Sequence, residues 1–262
     1  SDFKKISNYC KKKKIIFVST PLDNQSVDFL YDFVPFFKIS SGDITNHDLL
    51  VKIASKNKPI LLSTGGANLK EIRKAINLIE TNTKIDSSKY LALMHCVPLY
   101  PVPSKEANLR NILTLRKHFK NIIGYSDHTK GYEAAIVAVT LGANIIEKHF
   151  TVTREGKVFH DHFVSLDKNE LPHFRDIIES ARIMAGKQER VISKEVKSKL
   201  NHIRRSYAVN RNLKKGTVLS KEDLILVRPS NGYKENEISK VLNKKIKINM
   251  NKGSIINKKV LK

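Results

Sequence analysis

Cysteine is scarce: the 262 residues hold two, Cys10 and Cys96, too few for a disulfide framework, and a reducing cytoplasm is the expected compartment. No apolar run reaches the ~18 residues that a membrane-spanning helix needs, so a spanning helix is excluded. The opening SDFKKISNYCKKKK carries no apolar core, so no secretory signal is read there. Aromatic residues make up 7%, and no row of them is arranged to stack bases. Acid is short as well: 25 Asp and Glu against 48 Lys and Arg leave a net charge of +23.

That surplus is uneven, with +15 over residues 190–262 and +8 over residues 1–189. A basic tail can serve nucleic acid or an anionic surface. Here the cations are mostly lysine, 37 against 11 arginines, and no nucleic-acid motif accompanies them. Solvated lysines or anionic small-molecule substrates account better for the charge, and neither nucleic acid nor a membrane is expected as a partner. The remaining composition, 40% hydrophobic and 28% charged, is that of a globular chain. Its length suits one large domain or a medium one plus a small one.

Short apolar runs alternate with amphipathic stretches. The runs are Ile15–Thr20, Phe36–Ser40, Ile60–Thr64, Leu91–Cys96, Ile122–Ser126 and Ile145–His149, each with the composition of a parallel strand buried on both faces. Helical patterns follow at 24–33, 46–54, 68–78, 109–119, 132–141 and 168–185, with Asn46 and Asp167 as caps and Gly142 and Gly186 as stops. Six strand–helix units predict a parallel sheet over residues 1–186. A closed barrel needs eight, so the sheet is either open or part of a barrel. Residues 187–202 are polar and read as a linker. Residues 203–262 read as a small β-rich domain with strands at 206–209, 224–227, 245–248 and 254–256.

The strand ends carry the chemistry. The runs finish in Ser19-Thr20, Ser40-Ser41, Ser63-Thr64, His95-Cys96, Ser126-Asp127-His128, and Glu147 with His149. In parallel α/β folds these ends form the active-site face. Capping of the following helices explains Ser and Thr there, but not two histidines. His128 and His149 end consecutive strands. Strands ~4.8 Å apart let such side chains converge on one divalent cation, with positions left open for water or substrate. A hydrogen-bonded pair or acid–base use is the competing reading. Glu147, two residues before His149, is expected on the same side as a partner for an imidazole. Lys38 with the neighbouring hydroxyls makes a cradle for a phosphate or carboxylate, unless its stem merely snorkels from the sheet.

The segments FVSTPLDNQSVDFL, FKISSGDITNHDLL, KPILLSTGG, HCVPLYPVP, GYSDHT and IIEKHFT, in that order, resemble the sialic acid synthase family. That family includes N-acetylneuraminate synthase and the bacterial legionaminic and pseudaminic acid enzymes. RRSYAVNRNLKKGTVLSKEDLILVRPSNG resembles its antifreeze-like (SAF) domain. The resemblance implies a (β/α)8 TIM-type barrel, here lacking its first two βα units, followed by a small β-rich, β-clip-like SAF domain. It implies condensation of phosphoenolpyruvate with an N-acylated aminohexose, N-acetylmannosamine or a diacetamido-hexose, to a nonulosonic acid with release of phosphate. It also implies Mn2+ or Mg2+ and a domain-swapped homodimer.

Carried over motif by motif, the metal ligands are His128 and His149, and the phosphoenolpyruvate cradle is Thr20, Lys38, Ser41, Ser63 and Ser126. Asp43, Tyr100, Asp161 and Arg228 are the sugar contacts, Arg228 reaching the second copy's site, and Asp161 is grouped with the histidines as catalytic. Three departures stand out. The match begins at the family's third strand, so a truncated or split product is expected, and a catalytically inactive remnant that keeps a carbohydrate- or partner-binding role is the alternative. Pro98 replaces a residue that is polar in some relatives, and the loop 151–161 departs from the usual Pro-Gly-Pro-Asp form.

Overall fold

The computed structural model describes residues 2–84 and 86–262, and divides into two compact units, Ser1–Gly186 and Lys187–Lys262. The first unit is α/β. Its strands are β1 (Phe37–Ile39), β2 (Ile60–Ser63), β3 (Leu91–Cys96), β4 (Ile122–Asp127) and β5 (Ile145–Lys148). Its helices are α1 (Asp2–Lys12), α2 (Asn24–Leu30), α3 (His47–Ala54), α4 (Leu69–Thr81), α5 (Ser87–Tyr90), α6 (Asn111–His118), α7 (Glu133–Thr140), α8 (His160–Val164) and α9 (Glu170–Ala185).

The sheet is wholly parallel in the order β1-β2-β3-β4-β5. Strand order follows chain order without reversal, as in a barrel and unlike a doubly wound sheet. The sheet is also curled. In a flat sheet β1 and β5 would stand four spacings apart, ~19 Å. Yet Lys38 Nζ of β1 lies 3.5 Å from Glu147 Oε2 of β5. The outer strands therefore bend toward one another, and their facing side chains enclose the concave side.

Local chemistry starts and stops the helices where the sequence indicates. Asn46 and Asn68 cap α3 and α4, and Asn68 with Glu71 completes a reciprocal capping box. Asp167 accepts from the amides of Asn169 and Glu170 at the start of α9. Apolar faces of α2, α3, α4 and α6 pack on the strands in one core that includes Leu49, Ile53, Leu62, Leu93 and Ile112. Gly124 is needed where it stands: a Cβ there would lie 2.3 Å from Met94 Sδ and 2.8 Å from Ile145 O.

One expected strand is absent. Residues 15–20 form no strand, and among the described residues no backbone hydrogen bond joins 16–20 to β1. Ile15 and Ile16 are 63% and 70% exposed. β-branched composition makes a strand only where a neighbour supplies the ladder, so five strands, not six, form the sheet.

In the second unit β6 (Ser206–Val209) and β7 (Leu224–Val227) pair antiparallel. The expected strands at 245–248 and 254–256 reduce to isolated bridges, Val218 with Lys245, Ile246 with Leu261 and Ala208 with Ile255. A small core of Tyr207, Val209, Leu219, Val241, Ile246 and Ile256 holds them. Residues 194–203, inside the stretch read as a linker, form α10 (Lys194–Ile203), capped by Ser193.

Candidate active site

The site is built on the C-terminal ends of the strands. Glu147 of β5 stands opposite Ser126 of β4 in the register. Ser126 Oγ donates to Glu147 Oε1 at 2.7 Å, and the other carboxylate oxygen faces Lys38 Nζ. Glu147 therefore partners a hydroxyl and an ammonium rather than the imidazole expected from its spacing. Lys38, with its side chain 14% exposed, is held inside the curl.

Beyond β1 the chain turns through Ser41–Asp43. Ser40 Oγ donates to Asp43 Oδ2 at 2.5 Å. Ser41 Oγ accepts from the Gly65 amide at 3.0 Å and meets Cys96 Sγ at 2.9 Å. Gly65 permits this closeness, since a Cβ would sit 2.5 Å from Cys96 Sγ. Burial pushes the Cys96 thiol up, against the lowering by its bonds to Ser41 and the Gly65 amide, so the group is a thiol at neutral pH. Ser63, at the end of β2, is buried, and its Oγ has no hydrogen-bond partner in the structure.

The two histidines lie side by side just beyond β4 and β5. Their ring centroids are 5.3 Å apart at 70°. His128 Nδ1 is 2.9 Å from Val97 O. A carbonyl can only accept, so Nδ1 carries the proton and Nε2 the lone pair. Tyr100 OH donates to that Nε2 at 3.1 Å, and its ring stacks on His128 at 4.1 Å. Ser126 Oγ is 3.5 Å from the same nitrogen, but its one proton goes to Glu147. Burial lowers the His128 pKa, and the neighbouring His149 lowers it further, so the ring is neutral at pH 7. Burial raises the Tyr100 pKa, which keeps its hydroxyl a donor.

A profile of the NeuB family matches residues 1–190, and one of the SAF domain matches residues 204–262. The chain belongs to the NeuB family. The N,N'-diacetyllegionaminic acid synthase of Legionella pneumophila is 37% identical over 96% of this chain and 70% of that protein. The crystal structure of an N-acetylneuraminic acid (sialic acid) synthetase of Leptospira borgpetersenii in complex with citrate superposes with TM-score 0.69 at 33% identity, covering 75% of this chain and 68% of that one. A spore coat polysaccharide biosynthesis protein E structure, so assigned in Chromobacterium violaceum, gives 0.79 at 26% identity over 98% of this chain and 77% of that one.

The NeuB unit thus brings Lys38, Ser41, Ser63, Tyr100, Ser126, His128 and His149 to one strand-end face. Thr20 lies half-buried in the irregular stretch before α2, without a hydrogen bond to them. Asp161 lies in the first turn of α8 and pairs with His160, 3.2 Å away, and the His160 ring meets Tyr100 at 5.3 Å. Arg228 belongs to the SAF unit, exposed just after β7. A divalent cation fits the imidazole pair by donor chemistry: His128 Nε2 is unprotonated and held in orientation by Val97, and its lone pair, which accepts from Tyr100 here, is what a cation would take. Among the described residues no set of three His, Cys, Asp or Glu side chains converges there, so the fit rests on the two imidazoles.

Two features escaped sequence reasoning. Cys96 as partner of Ser41 depends on a contact across three strands, and nothing local signals it. Asp127 and Lys148 were visible only as neighbours of the histidines. Their alternation with His128 and His149 was the available clue that they face the other side.

Proposed function

We propose that this NeuB-family chain forms a nonulosonic acid by condensing phosphoenolpyruvate with an N-acylated aminohexose. The observation that carries the reading is the adjacency of two imidazoles, His128 neutral and oriented by Val97 and His149 beside it, to a lysine-and-hydroxyl row at the ends of one sheet. Lys38, Ser41, Ser63 and Ser126 bind the phosphate and carboxylate of the enol, with Thr20 closing the cradle from the stretch before α2. Charge-assisted hydrogen bonds of this kind favour a compact anion. Ser63 gains from the ligand the hydrogen bond it lacks in the structure.

His128 and His149 hold the divalent cation, Mn2+ or Mg2+, which when bound supplies Lewis acidity toward the sugar carbonyl. Tyr100, Asp43 and Asp161 orient the open-chain sugar. Carbon 3 of the enol then forms the new bond to the aldehyde carbon. Water adds at carbon 2, and the tetrahedral carbon breaks its bond to the phosphate ester oxygen, releasing inorganic phosphate. Held reactants replace a bimolecular encounter, which accounts for much of the acceleration.

In this reading the five paired strands, with the unpaired run 15–20 as a sixth, are part of a (β/α)8 barrel that two further βα units complete. A homodimer, in which Arg228 of one copy completes the sugar site of the other, belongs to the same proposal. Phosphate release is measured from phosphoenolpyruvate with N-acetylmannosamine, and separately with a diacetamido-hexose, in Mn2+. The assay is run on the chain alone and with the two further βα units supplied in trans. Turnover in either arrangement supports the synthase. Its absence in both, with substrates and metal in excess, contradicts it.

A further inference from the structure

Asp127 and Lys148 immediately precede the two histidines and face each other across the β4–β5 register. Lys148 Nζ lies 2.9 Å from Asp127 Oδ2, with side chains 4% and 0% exposed, the most buried ion pair among the described residues. Asp127 Oδ1 accepts three more bonds: from the Thr129 amide at 2.8 Å, from Thr129 Oγ1 at 2.7 Å and from Tyr125 OH at 3.2 Å. Lys148 Nζ also donates to Thr129 O at 2.5 Å. Residues 127–129 and 148 are thus tied into one closed network on both sides of His128.

A buried ion pair is weak evidence for stability, because desolvating two charges offsets most of their attraction. Its location is informative. Side chains alternate along a strand, so a clamp at Asp127 and Lys148 fixes the backbone from which His128 and His149 project to the opposite side. Each imidazole leaves the chain one residue beyond a clamped position, and the two rings stand 5.3 Å apart. Metal affinity depends steeply on such preset spacing.

We propose that the Asp127–Lys148 ion pair is a positioning device that sets the separation of the His128 and His149 imidazoles, and with it the affinity of the site for a divalent cation. The inference rests on the metal reading above. Mn2+ is titrated into the full chain while the free-ion electron paramagnetic resonance signal is followed, with calorimetric melting as the check on folding. The variants are Asp127→Asn/Lys148→Met, Lys148→Arg and Thr129→Val.

Removing both charges leaves neither uncompensated, so the double variant keeps its fold. Its Mn2+ Kd is expected to weaken about 10- to 100-fold, the usual effect of losing the partners that orient metal ligands. Lys148→Arg retains the ion pair and stays within about threefold of wild type, a rescue that loss of packing alone would not give. Thr129→Val removes one bond to Asp127 and weakens binding by a few-fold. A folded double variant with wild-type Kd overturns the proposal. If the double variant does not fold, an unchanged Kd in Thr129→Val overturns it. A wild-type chain that takes up no Mn2+ overturns the metal reading and this inference with it, whereas wild-type uptake matched by the double variant removes only the positioning role.

Discussion

Ser63 keeps a hydroxyl enclosed in protein at the end of β2 without a hydrogen-bond partner, at a cost of about 1–3 kcal/mol for an unpaired buried polar group. A residue kept for folding alone would be alanine there. Ser63→Ala is therefore expected to raise the melting free energy by about 1 kcal/mol and to raise the KM for phosphoenolpyruvate about tenfold. Calorimetry and steady-state kinetics check the two halves; a destabilised variant with unchanged KM contradicts the assignment. In the SAF unit Asp223 is buried, and accepts from the Ser220 amide, Ser220 Oγ and Arg211 Nε. The Ser220 amide above all, then Arg211, hold its carboxyl below the usual range. A folded-state pKa below the unfolded value near 4 gives stability that is present above that value and lost as pH falls through the folded one. The SAF melting transition should drop on acidification below about pH 4, and Asp223→Asn should lower it at pH 7 while flattening that slope.

At the scale of elements, Gly124 shows how closely β3, β4 and β5 meet. Gly124→Ala would press on Met94 Sδ and Ile145 O, the second of which is backbone and cannot swing aside. A loss of about 1–3 kcal/mol in denaturant unfolding is expected, and an unchanged midpoint would show that the strands yield freely. The same strands explain what the sequence could reveal. Leu91–Cys96 is buried at all six positions, so a continuous apolar run marked it without periodicity. Leu69, Ile72, Ile76 and Ile79, recurring on one face, announced α4, which the Asn68–Glu71 capping box starts in the structure. Ile15–Thr20 is as apolar a run as β3 but has no ladder partner, and whether a run is a strand is decided by its neighbours. The helix at 194–203 was legible in Ser193 followed by Val196, Leu200 and Ile203, a pattern outweighed by the charge around it.

At the scale of the whole molecule, the site depends on curvature. His128, His149, Ser63 and Lys38 could be picked out because each ends or lies near the end of an apolar run. The contact between Lys38 and Glu147 could not, because it joins the first strand of the sheet to the fifth and exists only when the sheet bends. Curvature also sets the strand-end hydroxyls and the imidazoles on one concave face. The proposed chemistry therefore requires the two rings to act together. Crystals of the chain soaked in Mn2+ and measured at the manganese absorption edge test this most directly. A single anomalous peak about 2.0–2.3 Å from His128 Nε2 and from a ring nitrogen of His149 is the predicted result. Rings turned apart, with no peak shared between them, would contradict it.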